Sequence, residues 1–169
     1  MADVVLYSKT IKSPIGNLIA IANDSALLAL GFGENNINQK LAKIDSKASK
    51  ILEKTNKILE ITAKELDLYF SGNLKKFTIP LKLNGTEFQK NAWKQLQQIP
   101  YGKTISYLDE AKNIGNEKAF RAVANANGKN NIPIIIPCHR VINSNGKLGG
   151  FTGGIEKKIW ILKHESKFI

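Results

Sequence analysis

Apolar and polar residues alternate along the first thirty or so positions in short runs separated by turn residues, and that pattern predicts strands. The runs are Val4 to Ile11, Asn17 to Ala22 and Ala26 to Phe32, with Pro14-Ile15-Gly16 and Asn23-Asp24 between them. Their spacing implies a small antiparallel sheet. Polar residues fill Gly33 to Lys50. After them Ile51, Leu52, Ile58, Leu59, Leu66, Tyr69 and Phe70 recur at near-helical intervals until Ser71-Gly72-Asn73. One long amphipathic helix packed on the sheet is expected there. Phe77 to Leu83 is a short apolar stretch ending at Asn84-Gly85, which divides the chain into two domains, residues 1–83 and 84–169.

The second half changes period and becomes mostly helical. Thr86 with Gln89 three places on forms a capping box, and Phe88, Ala92, Trp93 and Leu96 make the buried stripe of the helix it starts. Pro100-Tyr101-Gly102 stops that helix. Thr104 caps a second helix through about Lys112, Asn113-Ile114-Gly115 turns the chain, and Asn116 caps a third helix to about Asn127. This is the outline of a helix-turn-helix. The third helix has two unlike faces: Ala119, Ala122, Val123 and Ala126 are small and apolar, whereas Lys118, Arg121, Asn125 and Lys129 are polar or basic. Ile132 to Pro137 is too short and too Pro-bounded for a helix and reads as a buried extended segment delivering Cys138. Val141-Ile142 and Lys147-Leu148 flank Ser144-Asn145-Gly146 as a hairpin signal, Gly149 to Gly154 forms a loop, and a final helix ends near Glu165. No repeats or low-complexity tracts occur.

Composition sharpens this picture at two points. Twenty-five Lys+Arg against 14 Asp+Glu give the 169-residue chain a formal charge of +11, which suits a polyanionic partner, nucleic acid before membrane. The single Cys and two His exclude an internal disulfide and a multi-thiolate zinc site, so Cys138 acts as a free thiol. The N-terminus lacks the basic-then-apolar pattern of a signal peptide, and no apolar run is long enough to cross a bilayer. A cytoplasmic location, or wherever DNA is kept, is expected. Neither a metal nor a cofactor is called for.

A lone cysteine in an apolar segment is most often a core residue. His139 and Arg140 follow it directly, however, and a thiol gains nucleophilicity when a base takes its proton or a positive charge stabilises the thiolate. Glu165 is placed to orient His139 and complete a nucleophile, base and orienter set.

The segment Ile136-Pro137-Cys138-His139-Arg140-Val141 resembles the active-site motif of the O6-alkylguanine-DNA alkyltransferases, also called methylated-DNA-protein-cysteine methyltransferases. The likeness extends through Gly85 to Gln89, Ala92-Trp93, Tyr101 to Tyr107, Arg121-Ala122-Val123, Asn130 to Pro133, Gly153-Gly154 and Lys163-His164-Glu165, nearly the whole second half. The first half is similar more loosely, through Ser13-Pro14-Ile15-Gly16 and Leu66 to Gly72. The resemblance implies an α+β protein: a small ribonuclease-H-like N-terminal domain of antiparallel sheet plus helix, then a mostly helical domain carrying the helix-turn-helix. It implies a stoichiometric, irreversible transfer of an alkyl group from O6 of guanine in double-stranded DNA to Cys138 of a monomer, leaving O4-alkylthymine as an open second substrate.

Residue by residue, the resemblance makes Cys138 the acceptor, His139 its base through a water and Glu165 the group that holds His139. Asn130 is similar to the family's hinge asparagine, and Tyr107 to the tyrosine that serves the departing guanine at N3. Arg121 matches the finger that enters the duplex where the damaged nucleotide leaves, with Ala122, Lys118, Asn125 and Arg140 as further DNA contacts. Val141, Phe151, Thr152 and Pro133 are expected in the substrate pocket, main-chain groups of Cys138 and Val141 reading the guanine edge. Phe151 stands where several relatives have tyrosine and Thr152 where serine is common, which implies altered tolerance for large alkyl groups. The zinc ligands of some relatives' N-terminal domains are absent. Three other readings fit parts of the sequence: a non-catalytic lesion sensor, disfavoured by the presence of Cys138; a helix-turn-helix regulator; and a multiple-turnover cysteine hydrolase.

Overall fold

The computed structural model describes residues 4–44 and 48–169, and the chain divides into two compact units, Met1–Asn84 and Gly85–Ile169. In the first unit β1 (Val4–Ile11), β2 (Leu18–Ala22) and β3 (Leu27–Gly31) form the expected antiparallel meander. Two further elements depart from expectation. The polar stretch after Gly33 contains a helix, α1 (Glu34–Ile44), and the apolar residues that follow begin with a strand, β4 (Ala48–Leu52), which pairs parallel to β1 at the sheet edge in the order β3-β2-β1-β4. Ile51 and Leu52 therefore belong to the sheet, and the second helix, α2, is shorter than expected at Lys57–Phe70, capped by Asn56 through the Leu59 N–H.

Each layer follows from which face the sequence makes apolar. On α1, Ile37, Leu41 and Ile44 fall at helical spacing and pack on Leu6, Ile21 and Leu28. Helix α2 contacts the same three strands, β1, β2 and β3, and buries Ile58, Leu59, Leu66 and Tyr69. All five positions of β3 are buried, the signature of a strand covered on both faces. The apolar stretch after residue 76 does not form a full strand; Thr78 donates through its N–H and hydroxyl to the buried Glu65 carboxylate, and Leu27 exchanges main-chain bonds with Pro80 and Lys82.

In the second unit α3 (Glu87–Leu96) carries the capping box read from Thr86 and Gln89, and its buried Trp93 donates from Nε1 to the Ala126 carbonyl at 2.8 Å. Helices α4 (Tyr107–Asn113) and α5 (Phe120–Gly128) pack on each other through the turn at Ile114-Gly115. The cap of α4 is Ser106, in a second capping box with Asp109, and not Thr104. Ser106 is already fixed because Ile105–Ser106 (β5) pairs parallel with Val141–Ile142 (β6). Asn116 makes no side-chain cap; a 3-10 turn at Glu117–Ala119 leads into α5. The expected hairpin around Ser144-Asn145-Gly146 is a turn closed by Asn143 and Lys147, with β6 taken up by β5 instead. The last helix is α6 (Ile155–Lys167). Among the described residues no helix is long and apolar enough to cross a membrane.

Candidate active site

Residues 130–140 are buried without interruption, and side-chain bonds within the segment help to hold its conformation. Ile134 is the one described non-glycine residue with positive φ, at 74°. For a β-branched side chain that backbone costs about 1–3 kcal/mol and persists only where the surroundings over-determine it. Asn130 supplies much of that constraint, since its Nδ2 donates to the Ile136 carbonyl at 2.8 Å and its Oδ1 accepts the Ile132 N–H at 2.9 Å. The segment then turns through a 3-10 helix at Cys138–Arg140, which sends three neighbouring side chains to different tasks.

His139 and Arg140 both reach the carboxylate of Glu165 on α6. His139 Nε2 lies 2.7 Å from Glu165 Oε2, while Arg140 donates from Nε to Oε1 at 2.8 Å and from Nη2 to Oε2 at 3.0 Å. The Gly102 N–H adds a longer bond to Oε1 at 3.3 Å, from a residue whose φ of +76° suits glycine. Burial by itself raises the Glu165 pKa, but these hydrogen bonds and the positive charge of Arg140 hold it well below the carboxylate range. His139 is fully buried, and burial pushes it below its ordinary value against the pull of Glu165. The ionised carboxylate thus faces a neutral imidazole, which must donate from Nε2. Nδ1 is left unprotonated, and it has no hydrogen-bond partner among the described residues. It is the atom free to accept a proton.

Cys138 is 6% exposed and opens on a cavity of about 300 Å³ whose wall includes Tyr107, Asn127, Phe151 and Thr152. A cavity of this size accommodates one nucleobase. Burial, then the nearby Cys138 and Glu110, raise the Tyr107 pKa, so its hydroxyl remains a donor. Lys158 is fully buried in α6, donates to the Val141 carbonyl at 2.8 Å, and has its pKa lowered by burial and pulled back by Cys138. It places a cationic group near the thiol.

A second depression of about 370 Å³ lies alongside, lined by Phe120 and Arg121 and sharing Tyr107 and Ala124 with the first. Lys118, Arg121, Ala122 and Asn125 are all exposed at this end of α5, and Phe120 is 43% exposed. One wall therefore carries both the exposed basic edge and the mouth of the thiol cavity.

Of the residues singled out in the sequence, Cys138, Tyr107, Phe151 and Thr152 line one cavity, His139 bonds Glu165, and Asn130 bonds the segment that carries Cys138. The Thr152 hydroxyl donates to the Gly128 carbonyl at 3.3 Å. Arg140, expected among the DNA contacts, is instead 7% exposed, with its guanidinium donating to Glu165 and to the Ile99 carbonyl. Pro133 and Val141 are buried and are not among the described residues that line the cavity. Ala119 and Ala122 also leave the buried face of α5, which consists of Val123, Ala126 and Asn127. Sequence reading missed Lys158, Phe120, Asn127 and Glu110. Only Phe120 carried a local signal, an aromatic beside the basic residues of a recognition helix.

Residues 6–83 match the family profile described as 6-O-methylguanine DNA methyltransferase, ribonuclease-like domain, and residues 87–167 match the DNA binding domain of the same description. The methylated-DNA-protein-cysteine methyltransferase of Methanosarcina acetivorans is 41% identical over 160 residues, covering 95% of this chain and 98% of that protein. The crystal structure of Mycobacterium tuberculosis O6-methylguanine methyltransferase superposes with a TM-score of 0.85 at 38% identity, over 97% of this chain and 94% of that one. Mycobacterium tuberculosis OGT in complex with DNA gives 0.83 at 40% identity, over 96% and 94%.

Proposed function

The chain belongs to the 6-O-methylguanine DNA methyltransferase family, and from that premise we propose that Cys138 is the residue on which it performs direct repair of alkylated DNA. The protein binds DNA and transfers the alkyl group of O6-alkylguanine to a cysteine. What carries the assignment to Cys138 is that this thiol opens on a base-sized cavity while the next residue, His139, has its Nε2 locked by Glu165 and its Nδ1 unpartnered.

The reaction is a displacement at saturated carbon. The Cys138 proton passes to His139 Nδ1, through a water in the arrangement the family resemblance implies, and the imidazolium is stabilised by the Glu165 carboxylate. Cys138 Sγ then forms a bond to the alkyl carbon as the bond from that carbon to guanine O6 breaks. The electron pair moves into the purine, which takes a proton at a ring nitrogen, with the Tyr107 hydroxyl as its donor. The Lys158 ammonium favours the thiolate. Arg140 positions Glu165. The product thioether offers water no leaving group, so each molecule acts once.

Because O6 lies inside a stacked duplex, the nucleotide must be extruded at a cost of a few kcal/mol. Arg121 and Phe120, at the depression that shares Tyr107 and Ala124 with the thiol cavity, fill the gap it leaves. Exposed Lys118 and Asn125 hold the flanking backbone of double-stranded DNA, which a monomer binds.

Incubation with one equivalent of duplex containing O6-methylguanine is expected to add one methyl group to the intact mass, mapped to the Cys138 peptide, and Cys138→Ser is expected to remain unmodified. An unchanged mass on the wild-type chain would refute the assignment, and product exceeding protein would point to a multiple-turnover hydrolase.

A further inference from the structure

Glu110, on α4, is a buried carboxyl that the transfer chemistry does not use. It is 0% exposed and accepts one hydrogen bond, from Asn127 Nδ2 to Oε2 at 2.7 Å. Glu110 Oε1 and Asn127 Oδ1 are both sealed from solvent and have no hydrogen-bond partner among the described residues. While the carboxyl is ionised both atoms can only accept, so the pair holds two buried acceptors and a donor for neither. A proton on Oε1 supplies the donor that the pair lacks.

The charged groups on the elements around α4 form no ion pair with Glu110 among the described residues. On α3, Glu87 pairs with Lys90, and Lys94 is exposed. Glu117 and Lys118 in the 3-10 turn, Arg121 on α5, and Asp109 and Lys112 on α4 itself are exposed; β5 and β6 carry no charged residue. Lys158 of α6 is buried but donates to the Val141 and Gly150 carbonyls. Burial therefore pushes the Glu110 carboxyl up to about 7 against the pull of the Asn127 bond.

Tyr107 stands three residues before Glu110 on the same helix, the spacing of neighbours on one face. Tyr107 and Asn127 are both part of the wall of the cavity onto which Cys138 opens. The Glu110 charge is one of the causes, after burial and Cys138, that raise the Tyr107 pKa. A phenol that gives up its proton gathers negative charge, which a carboxylate one turn away opposes.

We propose that Glu110 works as a protonated acid paired with Asn127, and that this uncharged pair keeps Tyr107 able to donate to the departing guanine. The inference rests on the alkyl-transfer reading of the cavity given above. Glu110 is a positioning residue that acts through Tyr107, and release of its proton to solvent slows the transfer.

The test is a pH series of single-turnover rate constants for methylation of Cys138 by duplex O6-methylguanine at saturating protein, from well below pH 7 to well above it. Glu110→Gln has the shape of the neutral acid, with an amide that both donates to Asn127 and accepts from it. The ratio of variant to wild-type rate is expected to stay near one at the acid end and to rise by about three- to tenfold at the alkaline end. Titration of Cys138 and His139 is common to both chains and cancels in the ratio. Glu110→Leu, neutral at every pH, should show the same rise from a lower baseline, so a packing defect does not hide the effect. In a Tyr107→Phe background there is no hydroxyl to tune, and the ratio should lose its pH dependence. A flat ratio for both Glu110 variants overturns the inference; a rise that persists unchanged in Tyr107→Phe overturns the route through Tyr107. Failure of wild-type Cys138 to become methylated at any pH would instead sink the alkyl-transfer reading, and this inference with it.

Discussion

Glu110 on α4 and Glu165 on α6 are buried to almost the same degree, 0% and 1% exposed, yet they titrate in opposite directions. Glu165 accepts from His139, from two nitrogens of Arg140 and from the Gly102 N–H. Although burial opposes its charge, those bonds keep it ionised. Glu110 has one hydrogen bond, from the neutral amide of Asn127, and burial pushes its pKa up to about 7. Depth therefore sets the penalty on a charge, and the donors around it decide whether the charge survives. In this unit the fully supplied carboxylate supports the catalytic base, while the undersupplied one sits behind the wall of the cavity.

The strongest way to break that contrast is Glu165→Gln. It leaves the buried Arg140 guanidinium without a counter-charge, so unfolding in urea should show a loss of about 3–5 kcal/mol, and methyl transfer to Cys138 should fall with it. A loss below about 1 kcal/mol would mean that the Arg140 bonds contribute little.

The pH dependence of stability carries the same contrast with opposite signs. The Glu165 value is depressed on folding, so its contribution is present above the ordinary carboxylate range and lost as pH falls. His139, also depressed, acts in the same direction because it must stay neutral in the fold. Glu110 is raised from 4.5 to about 7, so its contribution is present below 4.5 and lost as pH rises toward 7, by up to about 3 kcal/mol. Relative to the wild-type chain, Glu110→Leu should therefore gain stability across that window, which urea unfolding at a series of pH values will read. A constant difference would show that Glu110 does not titrate there.

The exposed edge of α5 sharpens the comparison, because its charges are not matched internally and act only when DNA arrives. Arg121→Ala should slow repair of duplex O6-methylguanine by about 10- to 100-fold, the scale of a lost extrusion contact, with far less effect on reaction with free O6-benzylguanine. Equal losses on both substrates would refute its role in extrusion. The smallest expected effect is that of Lys118→Ala, which should weaken DNA binding modestly and lower the slope of log affinity against log salt by about one. An unchanged slope would remove Lys118 from the phosphate contacts.

Legibility followed locality. The strands β1, β2 and β3 and the capped helix α3 were readable because two-residue alternation and a capping box are properties of a few adjacent positions. The helix α1 was missed although Ile37, Leu41 and Ile44 carry its period, since three apolar residues among Asn, Lys and Glu read as polar filler. The strand β4 was merged into the following helix because its partner, β1, is forty residues or so away and no local signal marks a parallel pairing. The cap of α4 was misplaced for another reason: Ser106 and Asp109 carry a local capping box, but Thr104 offered a competing cap two positions earlier.

At the site, the sequence by itself determined the chemistry on offer: one thiol beside an imidazole, a basic helix, and a carboxylate near the last helix turn. These are residue identities and short spacings, and folding does not alter them. Only the tertiary structure decided how they are used. It drew Arg140 inward to Glu165, gave His139 its tautomer, brought Lys158 near Cys138, and set Glu110 against Asn127. Each outcome depends on desolvation and on donors supplied by distant segments, quantities that exist only once the chain has closed on itself.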